Sequence, residues 1–158
     1  MKKNIRLVGI FLLVFVLSNF AIAGHGQLFI HGGIVTDDSF SFDPYFWTFG
    51  SGVDIPIGEI FSITPEANII TYKMKFDTFW IEGSAILNAN LGNLFVGAGL
   101  TKWFLIADES YSGNTDFALK LNIGATGENT RLRFFLITPF DNLFKKGMTI
   151  GVTFGLSF

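Results

Sequence analysis

The sequence contains no cysteine, so it can form neither a disulfide framework nor a thiolate metal site. Charged residues make up only 15% of the chain, and they include no run of Lys and Arg of the kind that binds nucleic acid. Beyond residue 23, no continuous apolar segment is long enough for a transmembrane helix. Apolar residues are nevertheless abundant, with 20 phenylalanines and a mean hydropathy of +0.47. Apolar residues that are abundant but scattered are typical of a transmembrane β-barrel, in which every second residue of a strand faces lipid.

The N-terminal residues have the layout of a secretory signal peptide. Three cations (Lys2, Lys3 and Arg6) precede the apolar run Leu7–Leu17, and the triplet Ala21–Ala23 has the small residues that signal peptidase prefers. The apolar run is short for a membrane span of ~20 residues, which disfavours an N-terminal anchor. We therefore expect residues 1–23 to be a cleaved signal peptide and residues 24–158 to form one outer-membrane barrel domain.

Eight segments of the remaining chain alternate between large apolar residues and polar or small ones, as half-buried β-strands do. The predicted strands are Gln27–Val35, Tyr45–Ile57, Phe61–Met74, Phe79–Asn90, Leu94–Ile106, Asp116–Thr126, Thr130–Thr138 and Gly147–Phe158. Pro65 lies within the third segment and removes a backbone donor, so we expect a bulge or a local break there. Eight evenly spaced strands predict a sandwich or a barrel.

Short and long connections follow one another along the chain. The short ones are rich in Gly, Asn and acidic residues and are Gly58–Ile60, Leu91–Asn93 and Gly127–Asn129. The longer polar ones are Thr36–Pro44, Ala107–Thr115 and Phe140–Gly147. Short periplasmic turns and longer external loops are the pattern of outer-membrane barrels, so we expect the longer connections to face outside.

Three segments resemble those of a known family. TIGVTFGLSF, at the end of the sequence, resembles the closing strand of bacterial outer-membrane barrels. LFVGAGLTKWF (Leu94–Phe104) and DFALKLNIGATGE (Asp116–Glu128) resemble the fifth and sixth strands of small eight-stranded outer-membrane barrels, the opacity-type and porin-family small barrels. The resemblance implies an all-β, eight-stranded antiparallel up-and-down transmembrane β-barrel in a Gram-negative cell envelope. It also implies that Phe154, Leu156 and Phe158 form the signal that the outer-membrane assembly machinery reads.

Charged residues also fall on the strand faces that the alternation turns inward. The acidic ones occupy predicted strands two to four and the basic ones strands six and seven: Asp54, Glu66 and Glu82 against Lys120, Arg131 and Arg133. The interior of an eight-stranded barrel is just wide enough for side chains to fill, and buried charges must pair. The cluster therefore favours a lumen plugged by ion pairs over a selective ion path.

Counting residues from the short turn at the end of each strand shows which charged residues lie at a similar height in the barrel. This count predicts two ion pairs, Glu66 with Lys120 and Asp54 with Arg133. The sequence does not decide which residues of the first and fifth strands face inward. Glycines interrupt the alternation there, and Lys102 lies on the more apolar side of the fifth strand.

The sequence offers little for catalysis or cofactor binding. It has two histidines, His25 and His31, and the residue two after His31 is Gly33 rather than the Ser that small outer-membrane lipases use. No acidic loop has EF-hand spacing. We therefore expect no enzymatic activity, no cofactor and no metal site.

The expected protein is a monomeric, integral outer-membrane barrel with a structural or interaction role and with membrane lipids as neighbours. Lys73, Lys75 and Lys102 lie near the outer strand ends, where they either reach lipopolysaccharide phosphates or stay solvated at the rim. The main alternative is a small porin-like channel for ions or apolar molecules. A soluble lipocalin-like lipid binder and a lipid A-modifying enzyme are less favoured, the former because a Gly-x-Trp signature near the start is absent.

Overall fold

The computed structural model describes residues 26–37, 46–107 and 110–158. The predicted signal peptide, His25 and residues 38–45, which include most of the predicted loop Thr36–Pro44, lie outside the described residues. Within the described ranges, no helix is both long enough and apolar enough to cross a membrane.

Nearly all of the described chain is β-strand. The strands are β1 (Gln27–Asp37), β2 (Phe46–Ile57), β3 (Phe61–Tyr72), β4 (Thr78–Leu91), β5 (Leu94–Ala107), β6 (Ser110–Asn114), β7 (Ala118–Thr126), β8 (Thr130–Pro139) and β9 (Thr149–Ser157). Antiparallel neighbours follow the ring order β1-β2-β3-β4-β5-β7-β8-β9, and β9 pairs back to β1. The protein is therefore a closed eight-stranded antiparallel barrel, which confirms the predicted fold class.

One strand lies where the sequence predicted a loop. β6 pairs antiparallel with Phe104–Ala107 at the end of β5 and is not one of the eight ring strands. The register of this pairing shifts between Leu105 and Ile106. β7 then continues along β5 from Thr101 to Leu94. The prediction of a loop over Ala107–Thr115 is thus wrong where β6 lies. The sequence did not indicate this strand, because the small and polar residues of β6 have low strand propensity.

The two ends of the barrel differ. At one end, called the turn end, Gly58 and Gly92 adopt φ values of 72° and 65° in tight turns, a conformation that glycine accepts without strain. At the other, called the loop end, the connection from β8 to β9 begins with a short 3-10 helix, Phe140–Asn142.

Pro65 interrupts one of the two hydrogen-bonding ladders of β3. Pairing between β2 and β3 runs as far as Gly52–Glu66 and resumes at Ile55–Ile63. Pairing between β3 and β4 continues through Pro65. The register is the same on both sides of the gap, so the missing N–H produces a local break and no bulge.

Side chains alternate between the lumen and the outer surface around the ring. In β8, Arg131, Arg133 and Phe135 are buried while Leu132 and Phe134 are exposed. The outward positions of the other strands are also mostly large and apolar, for example Ile30, Phe49, Phe61, Ile63, Ile69, Leu87, Val96, Leu100, Ile123, Phe154 and Leu156.

The structure shows which residues of β1 and β5 face the lumen, a question that the sequence left open. Phe29, His31 and Val35 of β1 and Thr101 of β5 face inward. Lys102 faces outward, with its Nζ 5.0 Å from the centre of the Phe117 ring.

Interior glycines make room for aromatic rings in the lumen. Three large rings in the lumen lie beside a glycine of the neighbouring strand, in the register pairs Phe29–Gly52, Phe95–Gly124 and Phe135–Gly151. A methyl group added at any of these glycines would overlap the ring. The glycines therefore make room for aromatic side chains that would otherwise not fit in so narrow a lumen.

The lumen changes from charged to apolar toward the loop end. Val35, Phe135 and Ile137 form a buried apolar cluster, against which Phe46 and Trp103 pack. On β1 and β8, Val35 and Ile137 follow His31 and Arg133 in the direction of the loop end. An apolar layer thus separates the charged side chains from that end.

Candidate functional site: an ion-pair cluster in the lumen

All six charged residues singled out in the sequence point into the barrel. Strand alternation brings Asp54 from β2, Glu66 from β3 and Glu82 from β4 to one wall. Lys120 from β7 and Arg131 and Arg133 from β8 come from the facing wall. Because the pairs join strands that are not neighbours in the ring, they cross the lumen.

Lys120 is the centre of the cluster. Its Nζ lies 2.6 Å from Glu66 Oε1 and 2.5 Å from Glu82 Oε1. The side chains of Lys120 and Glu66 are wholly buried and that of Glu82 is 1% exposed. A charge so far from water persists only when it is paired and hydrogen-bonded, and this ammonium group meets both conditions.

The two arginines complete the pairing in a way that the sequence did not predict. Arg133 pairs with Glu66 through Nη1, and Arg131 pairs with Asp54. The predicted pairing of Asp54 with Arg133 is therefore wrong, whereas the Glu66–Lys120 pair is present. The prediction ignored the strand tilt and shear of a closed barrel, which shift β8 against β2 by one inward-facing position.

Neutral donors surround Glu82. Ser84 Oγ donates to Glu82 Oε1 at 2.6 Å and Thr101 Oγ1 donates to the same oxygen at 2.9 Å. Asn68 Nδ2 donates to Glu82 Oε2 at 3.0 Å. Both carboxylate oxygens are thus engaged, so the cluster is a connected hydrogen-bond network as well as a set of ion pairs.

His31 also belongs to this network, although the sequence pattern did not indicate its place in the lumen. Its Nε2 lies 2.6 Å from Asn68 Oδ1 and 3.3 Å from Arg133 Nη2. Its ring stacks on Phe29 with the centroids 5.5 Å apart. Alternation with Phe29 and Val35 could have placed His31 inside, but Gly32 and Gly33 obscured it.

Aromatic rings enclose the cations. The Arg131 guanidinium lies between the rings of Phe29 and Phe95, 4.4 and 4.2 Å from their centres. Lys120 Nζ lies 4.7 Å from the centre of the Phe135 ring. These contacts add cation–π attraction and exclude water from the ion pairs.

The arrangement is balanced in number, since three carboxylates face three basic side chains. Within the described ranges, no three His, Cys, Asp or Glu side chains are grouped so that they could hold a metal ion. The chemistry that the cluster offers is therefore mutual neutralisation across the lumen.

The residues of the predicted assembly signal lie on the outer surface. Phe154, Leu156 and Phe158 are exposed on the outward face at the turn end. The backbone N–H of Phe158 donates to the carbonyl of Leu28 at 2.8 Å, which extends the pairing of β9 with β1. The contact closes the ring and leaves the three side chains accessible.

No family model and no curated protein matches the sequence. Among solved structures, the Neisserial surface protein A (NspA) aligns with a TM-score of 0.50 at 13% identity, over 84% of this chain and 94% of that one. A de novo designed transmembrane β-barrel aligns with a TM-score of 0.48 at 9% identity, over 84% and 96% of the two chains. The similarity to NspA shows that this protein has the fold of a small eight-stranded outer-membrane barrel.

Proposed function

We propose that this protein is an integral outer-membrane barrel whose lumen is plugged by the ion-pair cluster, and that its role is structural or interactive. The observation that carries the proposal is the Lys120 site, where one buried ammonium group joins two carboxylates across the lumen. A pore needs water along this line, whereas the cluster fills it with paired side chains.

The outer surface supports the location in a membrane. Soluble monomers rarely expose apolar patches larger than a few hundred Å². Here apolar side chains encircle the barrel, with Phe134, Ile123 and Phe154 each more than half exposed. Such a belt is stable where it contacts lipid tails instead of water.

The charge balance supports the plug. Isolated charges in a narrow lumen would require hydration, but each carboxylate of this cluster has a cationic partner. The apolar layer of Val35, Phe135 and Ile137 lies between the cluster and the loop end. Ions entering from that end would have to pass this layer and then break the ion pairs.

A small channel is the second candidate, and two cavities favour it. One of about 670 Å³ opens at the loop end beside Trp103 and Phe140. Another of about 390 Å³ lies at the turn end beside Asp54 and Arg131. If side-chain motion joined them, ions or small apolar molecules would have a path.

The proposed partners follow from the location. Outer-membrane lipids, including lipopolysaccharide, would surround the belt, and the assembly machinery would read Phe154, Leu156 and Phe158. Lys102, framed by aromatic rings on the outer surface, is placed to reach lipid phosphates. We propose a monomer without enzymatic activity.

Fractionation and reconstitution test the proposal together. The full chain, produced in a Gram-negative host, should remain with the outer membrane after salt washing and dissolve in detergent. It should migrate faster on a gel when unheated than when boiled.

Vesicles containing the folded protein should retain an entrapped small dye as well as empty vesicles do, while vesicles with a porin lose it. Extraction by salt alone would contradict the membrane location, and dye loss would favour the channel.

A further inference from the structure

The cavity at the loop end, of about 670 Å³, has the volume of a small-molecule binding site, which is roughly 300–1,000 Å³ in proteins. Inward-facing residues of β5, β7, β8 and β9 form its wall, and the connections before β7 and after β8 form its rim. The residues from the strands are Trp103, Ala118, Ile137, Pro139 and Thr149. The cavity is therefore the mouth of the lumen at the loop end and not a groove on the lipid-facing surface.

Apolar side chains form the floor of this mouth. Ile137 belongs to the buried apolar layer that separates the ion-pair cluster from the loop end, and Trp103 and Ala118 pack against that layer. Phe140 adds a second aromatic side chain to the lining. A molecule entering from the loop end would meet apolar and aromatic surface here, where an apolar group is stabilised by leaving water.

The rim of the mouth carries charged side chains that form no ion pair. Asp116 precedes β7, Asp141 lies in the 3-10 helix after β8, and Lys146 lies in the connection to β9. Within the described ranges none of the three forms a salt bridge, and Asp141 accepts one hydrogen bond, from Asn142 Nδ2 at 3.1 Å. Two carboxylates against one ammonium group make the rim net negative.

We propose that this mouth binds a small organic cation, namely an amine with an apolar or aromatic body. The body would lie on the floor beside Trp103, and the ammonium group would lie at the rim near Asp116 and Asp141. Aromatic rings attract cations through their faces, so Trp103 and Phe140 favour the same sign of charge as the carboxylates do. An anionic ligand would meet Lys146 but would be repelled by two carboxylates. The closed floor rests on the proposed plug, whereas the charge of the rim does not.

Three probes with the same phenyl body and different charges test the site: phenethylamine, 2-phenylethanol and 3-phenylpropanoate. The full chain is reconstituted in phosphatidylcholine vesicles, and binding is measured by titration calorimetry with empty vesicles as the blank. Phenethylamine should bind saturably and about tenfold more tightly than the alcohol, the ratio expected for one or two partly screened contacts between opposite charges. Absence of saturable binding, equal binding of the three probes or a preference for the carboxylate would overturn the proposal.

Substitutions at the rim test the role of charge. Asp116→Asn and Asp141→Asn should each weaken the binding of phenethylamine by about two- to fivefold, the range for an exposed ion pair. Lys146→Met should strengthen it. If neither aspartate substitution changes the preference for the amine over the alcohol, the proposal is wrong.

A substitution in the wall tests the location. Ala118→Phe should abolish binding of phenethylamine, because the new ring enters the cavity. Ala85→Phe is the matched control, since it makes the same change on the outer surface of β4, and binding should persist. If Ala118→Phe does not fold, the rim variants decide. Vesicles that retain the entrapped dye but bind no phenethylamine would overturn this site alone, whereas loss of the dye would overturn the plug.

Discussion

Replacing Lys120 with methionine removes the cation at the centre of the cluster and keeps most of its volume. Glu66 keeps Arg133 as a partner, but Glu82 is left with neutral donors from Ser84, Thr101 and Asn68. Breaking a buried ion pair by removing one partner costs about 3–5 kcal/mol, because the other charge remains buried. We expect Lys120→Met to lower the free energy of unfolding by that amount.

A second substitution separates this effect from a loss of packing. Glu82→Gln removes the carboxylate that Lys120→Met leaves without a cation, so the double variant should regain about 1–3 kcal/mol relative to Lys120→Met alone. Lys102→Met is the matched control, because it makes the same chemical change on the outer surface of the neighbouring strand. It should change the stability by less than about 1 kcal/mol.

Urea titration of the folded protein in lipid vesicles, followed by tryptophan fluorescence, measures all three variants. Equal stabilities of Lys120→Met and Lys102→Met would contradict a stabilising role for the cluster, since the buried cation would then contribute no more than an exposed one. A double variant less stable than Lys120→Met would also contradict it, because Glu82 would then stabilise the barrel without its cation.

Further predictions concern the edge of the cluster, the belt, the topology and assembly. Asp54→Asn should cost only about 1–2 kcal/mol in urea titration, because its side chain is 18% exposed and water can replace part of the lost pair; a larger loss than in Lys120→Met would be inconsistent. Phe134→Arg should cost about 2–4 kcal/mol in vesicles, since it places a charge on the lipid-facing surface; unchanged stability would argue against lipid contact. A cysteine at Asn142 should react with an impermeant maleimide in intact cells and one at Asn93 should not, and the reverse would invert the topology. Deleting Phe158 should reduce the heat-modifiable form and leave precursor in the periplasm; normal insertion would exclude it as an assembly signal.

Strand alternation predicted the barrel well, because the two-residue period survives in most of the strands that have an apolar outer face. Where the structure describes them, the eight ring strands begin and end within two residues of the predicted bounds. The inward direction of Arg131 and Arg133 followed from the apolar residues between them. Such inferences need only the local sequence.

Contacts across the lumen depend on quantities that the local sequence does not contain. The shear of the closed ring decides that Asp54 meets Arg131 and not Arg133. The place of His31 depends on the glycines that separate it from Val35 and hide the alternation. β6 was missed for a related reason, since pairing with the end of β5 and not strand propensity holds it in place.

If paired charges close the lumen of a membrane barrel, the protein should not conduct ions, and single-channel recording in planar bilayers measures this. The folded wild-type protein, inserted from detergent into a bilayer in concentrated potassium chloride, should show no conductance steps of porin size at either polarity. Protease protection of the same reconstituted protein in vesicles should establish that it has inserted. Steady steps of porin size from protein that carries the intact Glu66–Lys120–Glu82 contacts would contradict the claim.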